Sequence, residues 1–335
     1  MAKIIDVAKL AGVSAASVSR YLNNKSMLRD ETAEKIEAAI KELGYSPNPI
    51  AAGLRTKRSN MIAFIIPTLN NLYYIELLRE MEHLCSKNGY TLSIYSIEED
   101  MNTLKKILMN ISEYQYDGVI ICYLDEPEML KTLNRLQENL PIVLITAAQD
   151  RDAFNNVFLD VRDATYQAVK TLIKKDRRRI GFIGGGFKDM VRVIIKEKFL
   201  GYEAAVKDSG LPLLASTPKG QLASEVADGM TAGIVGAQEL MNRYERPDAI
   251  ICSIDIVAMG CVRYLKENGY RVPDDVEVVG FSGSMLTNVY NSDISTITQP
   301  LGDMARAAFD LLIQQIKDPV KEKKCRIFRA WLHIN

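Results

Sequence analysis

The sequence predicts an α/β protein: a small N-terminal helix-turn-helix head, a linker, and a large core of two doubly wound parallel sheets. Three observations carry this reading. Three short segments with apolar residues at helical spacing fill the first 44 residues, a stretch with two prolines and a basic tail follows, and from Met61 onward apolar runs alternate with helical segments. At 335 residues, 47% hydrophobic and 25% charged, the chain carries enough apolar material to bury the core such an arrangement needs.

In the head, Ile4, Val7 and Ala8, then Ala11, share one face of a helix predicted over Ile4 to Leu10. Within "AGVSAASVSRYLNN", Ala11 to Asn24, Gly12 supplies a positive-φ turn, Val13 points inward and Ser14 caps a second helix predicted over Ala15 to Leu22. "RDETAEKIEAAIKELG" sets Ile36, Ile40 and Leu43 at helical spacing before Gly44 stops the third helix. The second helix is poor in bulk: its outward residues Ala15, Ala16, Ser17, Ser19, Arg20 and Asn23 are short or forked and include no acid. Such a surface fits a major groove without repelling phosphates; an ordinary helical subdomain is the other reading of the spacing alone.

Net charge is zero but unevenly spread. Residues 1–59 hold ten Lys/Arg against six Asp/Glu, a net +4 balanced by −4 beyond, which suits a polyanion held at one end. Cys85, Cys122, Cys252, Cys261 and Cys325 form no CxxC pair, so neither a disulfide framework nor a zinc site is expected. With only His83 and His333, a catalytic histidine or imidazole metal cluster is not expected either, and no cofactor is called for. No run of about 18 uncharged apolar residues occurs, and Lys3, Asp6 and Lys9 interrupt the N-terminus where a secretion signal is apolar. The expectation is a cytoplasmic protein without a membrane partner. The final "FRAWLHIN" adds no leucine heptads, so a dimer is expected and not a tetramer.

In the core, "MIAFIIP", "YTLSIYSI", "GVIICYL", "PIVLITA", "RIGFIGGG", "DAIICSI" and "VEVVGFS" read as buried parallel strands, one sheet before and one after about residue 160. Ligands in doubly wound folds sit at the carboxyl ends of strands. A cleft between the two lobes is the expected binding place.

From "IIDVAKLAGVSAASVSRYLNN" through "IKELGYSPNPIAAGLRT" to "DAIICSIDIVAMGCVRYLKENGYRVPDDVEVVGF" and "STITQP", the sequence resembles the lactose/galactose repressor family of bacterial transcription regulators over essentially its whole length. The resemblance implies a homodimer that binds a palindromic operator DNA through the head (residues 1–45), with a linker (46–60) that becomes a hinge helix in the minor groove. It also implies a core (61–335) like the periplasmic sugar-binding proteins, holding a small-molecule effector. The N-lobe is expected over about 61–160 plus a returning segment near 290–317, the C-lobe over about 161–289 plus the C-terminal segment. By the same resemblance Ala15, Ala16 and Arg20 meet base edges, while Ser14, Ser17, Ser19 and Asn23 hold the backbone. Leu54 wedges into the minor groove, and Lys57 and Arg58 sit on phosphates. A buried linker contact is the other reading of Leu54.

The effector pocket implied by the resemblance draws on Asn71, Tyr73, Tyr74, Asp160, Lys198, Asp255 and Ser282. Lobe packing is the second reading of Tyr73 and Tyr74, and helix capping that of Asp160 and Asp255. The chain also departs from the family. Lys3 stands where a threonine usually caps the first helix, and Gly53 lies inside the hinge helix; each costs about 1 kcal/mol. Lys198 replaces a forked arginine, Ile254 a small polar residue, Val161 an asparagine, and Ser282 with Gly283 two acids. These losses imply a less hydroxylated ligand, planar or partly anionic, in preference to a free hexose.

Other motifs carry less. "IGGGF" is not GxGxxG and has no P-loop lysine downstream, "KKDRRR" (Lys174 to Arg179) reads as a solvated helix end, and Ser282 has neither a histidine partner nor a G-x-S-x-G setting. The chain therefore reads as a DNA-binding regulator and not an enzyme, most simply a repressor controlled by a small effector. Control by a protein partner, as in catabolite-control members of the family, and a small-molecule binding protein or enzyme on the same core are the alternatives.

Overall fold

The computed structural model describes residues 2–23, 28–45, 58–69, 71–98, 100–113, 116–122, 127–146, 153–184, 192–216, 226–243, 246–284, 293–319 and 322–334. The chain divides into two units, residues 1–59 and 60–335.

The first unit contains α1 (Ile4–Ala11), α2 (Ala15–Asn23) and α3 (Asp30–Leu43). Lys3 has no acceptor with which to cap α1. The first turn is held instead by the Lys3 N–H, which donates to the Asp6 carboxylate at 2.8 Å. Gly12, at φ +66°, ends α1, and the Val13 N–H turns back to the Ala8 carbonyl at 2.9 Å, the hydrogen-bonded stop that a left-handed residue allows. Ser14 then caps α2 as the sequence predicts: its Oγ accepts the Ser17 N–H at 3.1 Å. Val7, Ala8, Ala11, Val18, Ile36 and Ala39 form the buried centre, ringed by Ile4, Val13, Leu22, Ile40 and Leu43. The Tyr21 hydroxyl donates to Glu37 at 3.0 Å and ties α2 to α3.

The second unit holds two six-stranded sheets. The first is built from β1 (Met61–Ile66), β2 (Thr91–Ser96), β3 (Gly118–Cys122), β4 (Ile142–Thr146) and β5 (Asn155–Leu159), joined at its edge by β11 (Cys325–Phe328). Its order, β2-β1-β3-β4-β5-β11, is parallel throughout. The second contains β6 (Ile180–Ile183), β7 (Leu214–Ser216), β8 (Ala249–Cys252), β9 (Glu277–Ser282), β10 (Ile294–Thr298) and an antiparallel edge strand β12 (Trp331–His333), in the order β7-β6-β8-β9-β10-β12. Each sheet reverses its strand order beside its first strand, between β1 and β3 and between β6 and β8. The carboxyl ends of those strands open a crevice there.

Helices cover both faces, which is why the central strands read as unbroken apolar runs. On the first sheet α4 (Leu72–Lys87) and α11 (Leu301–Lys317) pack on one side, α5 (Met101–Glu113) and α6 (Pro127–Leu136) on the other. On the second, α7 (Val161–Lys174) and α8 (Arg192–Asp208) face α9 (Val226–Arg243) and α10 (Asp255–Glu267) across the sheet. α9 and α10 meet backbone to backbone. A Cβ on Gly260 would overlap the Met230 carbonyl oxygen, and one on Gly233 the Val257 carbonyl oxygen.

The chain passes between the lobes three times, after Leu159, after Thr298 and after Phe328. This shifts the expected boundaries. Ile294–Thr298 pairs in register with Val278–Ser282, so the chain stays in the C-lobe to residue 298, and the returning segment begins at Leu301, not near 290. Residues 325–328 complete the N-lobe sheet, and 331–333 return to the C-lobe. The "KKDRRR" run is also more than a solvated end: Lys175 and Arg177 pair with the buried Glu277 carboxylate at 2.6 and 3.3 Å. A buried carboxylate needs such partners, and they come from this run.

Candidate functional site

In the head, the candidate DNA-contacting side chains divide by exposure. Ser14, Ala15, Ala16 and Arg20 are exposed, Ser17 and Ser19 are half-buried, and Val18 turns fully inward. The Ser17 hydroxyl bonds the Ser14 hydroxyl at 2.9 Å, which fixes the first turn of α2. Among the described residues Arg20 has no carboxylate partner, leaving its guanidinium available for an external acceptor. Arg58 is exposed. Leu54, Lys57 and the side chain of Asn23 lie outside the described residues.

The core cleft lies between the lobes at the carboxyl ends of the strands and is open to solvent. Asn71, Tyr73 and Tyr74 enter it from the start of α4, Cys122, Ile145 and Thr146 from the ends of β3 and β4. The opposite wall is Ile194, Ile195, Lys198, Ile254, Phe281 and Ser282, with Leu159, Val161 and Gln299 at the crossings. Asn71 caps α4, its Oδ1 accepting the Tyr73 N–H at 3.0 Å, and so sets where the tyrosines stand. The two rings meet edge to face at 5.0 Å; Tyr74 is buried in the lobe core, so it both packs the lobe and lines the cleft. Burial pushes the Tyr73 phenol and the Cys122 thiol up, and both are uncharged at neutral pH.

Lys198 is only 4% exposed. Its Nζ donates to the Ser253 carbonyl at 2.8 Å and stands 3.6 Å from the centre of the Phe281 ring. Loss of solvent pulls its pKa down to about 7, against a smaller opposing pull from Asp255.

Asp255 is engaged by groups of its own lobe. The residue is 4% exposed and is absent from the described lining of the cleft. One oxygen accepts the N–H and hydroxyl of Ser284 at 2.8 and 2.6 Å, and the other accepts the Thr296 hydroxyl at 2.8 Å. Thr296 in turn accepts the Gly283 N–H at 3.0 Å. Asp255 therefore fastens the turn 282–284 to β10. That turn holds Ser282 in the cleft wall at φ +143°, a conformation an L-residue keeps only when its surroundings impose it. Asp160 behaves likewise: its Oδ1 accepts the Asp163 N–H at 2.9 Å and caps α7, while its neighbours Leu159 and Val161 face the cleft.

The structure thus brings Asn71, Tyr73, Tyr74, Lys198 and Ser282 to one cleft, while Asp160 and Asp255 are hydrogen-bonded within the fold and are not among the described lining residues. Sequence reasoning missed Cys122, Thr146 and Gln299. Cys122 ends β3 at the switch point of the first sheet and Thr146 ends β4, both legible signals; Gln299 becomes a cleft residue only through the lobe crossing after Thr298. Among the described residues no group of three or more His, Cys, Asp or Glu could hold a metal ion, and no helix is long and apolar enough to cross a membrane.

Residues 3–48 match the bacterial regulatory proteins of the lacI family, and residues 169–331 match a periplasmic binding protein-like domain. The HTH-type transcriptional regulator RegA of Clostridium acetobutylicum is 35% identical over 322 residues, covering 94% of this chain and 92% of that protein. Catabolite control protein A of Priestia megaterium is 29% identical over 313 residues, covering 92% and 91%. Among solved structures, the lac repressor dimer bound to operator and the anti-inducer ONPF superposes with a TM-score of 0.86 at 22% identity, covering 99% of this chain and 97% of that one. The transcriptional regulator CelR in complex with cellobiose gives 0.70 at 24% identity, covering 100% and 99%. At those identities the two structures speak to the fold alone.

Proposed function

The chain belongs to the lacI family of bacterial regulatory proteins, a DNA-binding transcriptional regulator, and from that premise we propose that it is a repressor that binds a palindromic operator as a homodimer in the cytoplasm. A small molecule held between the core lobes sets its affinity for DNA. The observation that carries the DNA-reading half is the build of α2: Ser14 fixes its start, Val18 and Tyr21 anchor it to the head, and Ala15, Ala16 and Arg20 stand outward with no acid among them. Arginine pairs with guanine O6 and N7, while the alanines leave room for close approach.

In vitro selection of DNA on the full-length protein, followed by salt titration of the recovered site, tests this. The expected outcome is a palindromic site and an affinity that falls with salt at a log–log slope of about −0.9 per phosphate neutralised. Salt-insensitive binding, or a selected site without two-fold symmetry, would sink the reading. A sedimentation mass of two chains is expected in the same buffer.

A further inference from the structure

Resting on the reading of the cleft as an effector site, we propose that its ligand is a small monocarboxylate with an apolar body, its carboxylate paired with the Lys198 ammonium. The described lining is mostly apolar, with Ile145, Leu159, Val161, Ile194, Ile254 and Phe281 on its walls. Among the described lining residues Lys198 is the one charged group, and no carboxylate faces the cleft to receive a sugar's hydroxyl donors. A hexose would bury hydroxyls with few acceptors, the costly arrangement for a polar ligand.

The Lys198 ammonium has three N–H donors, of which one, among the described residues, is engaged by the Ser253 carbonyl at 2.8 Å, and one flank rests on the Phe281 ring. Asp255, the acid behind it, has both oxygens committed to Ser284 and Thr296. Among the described residues Lys198 forms no ion pair, although it is nine-tenths buried. A carboxylate entering the cleft gives Lys198 a directly paired counter-charge in a low-dielectric setting, where a charge-assisted hydrogen bond is strong. Neutral Ser282, Thr146 and Gln299 are present to complete the head group, and the apolar walls receive the rest. The single cation among the described lining residues suits a monoanion better than a phosphate dianion.

Among the described residues the charged and titratable groups near Lys198 are Asp255, Cys252 and, in the cleft lining, Tyr73 and Cys122; burial keeps the phenol and both thiols neutral. Because burial pulls the Lys198 pKa down to about 7, carboxylate binding takes up a proton above that pH. Affinity then falls about tenfold per pH unit.

The test is calorimetry of the full-length protein with butanoate, hexanoate, octanoate and benzoate, against hexanamide, glucose and cellobiose, with each compound also added to an operator-binding assay. We expect at least one carboxylate to bind, hexanamide to bind about tenfold or more weakly than hexanoate, and Lys198→Met to remove that difference. The pH profile on the unaltered protein gives the same answer without relying on the variant's fold: carboxylate affinity declines above pH 7, and hexanamide affinity is flat. No carboxylate binding up to about 10 mM, a sugar binding more tightly than every carboxylate, or carboxylate binding unchanged in Lys198→Met would each overturn the proposal. A carboxylate that binds through Lys198 without altering operator affinity upholds the ligand class and overturns effector control. A sugar that binds and shifts operator affinity does the reverse.

Discussion

The head and the cleft employ similar side chains in opposite ways. On α2 the candidate contact residues Ala15, Ala16 and Arg20 project into solvent, while local groups, Ser14 and Ser17, meet the helix's own needs. In the core Lys198 and Asp255 are each 4% exposed, and the carboxylate is consumed by a turn and a neighbouring strand. The head reads by what it projects. The cleft recognises by what remains after the fold has used its polar groups. A charged residue on an outward helix face keeps its role from sequence to structure, but one at a strand end has to be judged after its internal donors are assigned.

The contrast can be broken at four points, in descending order of effect. Gly260→Ala forces apart α9 and α10, whose backbones touch, and should lower core stability by about 3 kcal/mol or more. An unchanged urea midpoint would show that the two helices do not meet as described. Asp255→Ala leaves Ser284 and Thr296 without their acceptor and should cost about 2 to 3 kcal/mol, read in the same denaturation. If the variant is fully stable yet unresponsive to ligand, the Asp255 carboxylate serves the cleft and not the fold.

Arg20→Ala should leave stability alone and lose about 1 to 3 kcal/mol of discrimination for guanine at one base pair per half-site. Competition binding against single-base operator variants measures it; a retained base preference removes Arg20 from direct readout. The smallest change is a gain. Lys3→Ser places an acceptor at the start of α1, where Lys3 now offers none, and should stabilise the head by about 1 kcal/mol. A melting temperature that stays put would mean the Asp6 bond to the Lys3 N–H already suffices.

Local chemistry was legible in the sequence and long-range chemistry was not. The three head helices, the Gly12 stop, the Ser14 cap and seven of the strands follow from spacing and turn residues a few positions apart. β5 did not, because it opens with Asn155 and Asn156, a polar pair that looks like a loop. Asn155 is made strand-compatible from afar: its amide donates to Gln315 at 2.8 Å, and its carbonyl oxygen accepts the Lys324 N–H at 3.0 Å. The short β7, β11 and β12 carry too few residues to show a period. At the cleft, Asp255 and Lys198 were found as residues, but their directions were not. The partners that hold the Asp255 carboxylate lie at Ser284 and Thr296, and no local pattern announces them.

The three crossings between lobes also govern how the chain takes shape during synthesis. The N-lobe begins at β1 yet lacks α11 until residue 317 and its edge strand until Phe328, while the C-lobe waits for β12 at residues 331–333. Neither lobe can close while the other is still being made, although domains emerging from a ribosome ordinarily fold one after another. The head, complete by residue 43, is free of that constraint. A nascent chain therefore carries a folded DNA-reading unit ahead of two unfinished sheets whose last strands emerge within a few residues of each other, so that the lobes, and the cleft they share, come into being together.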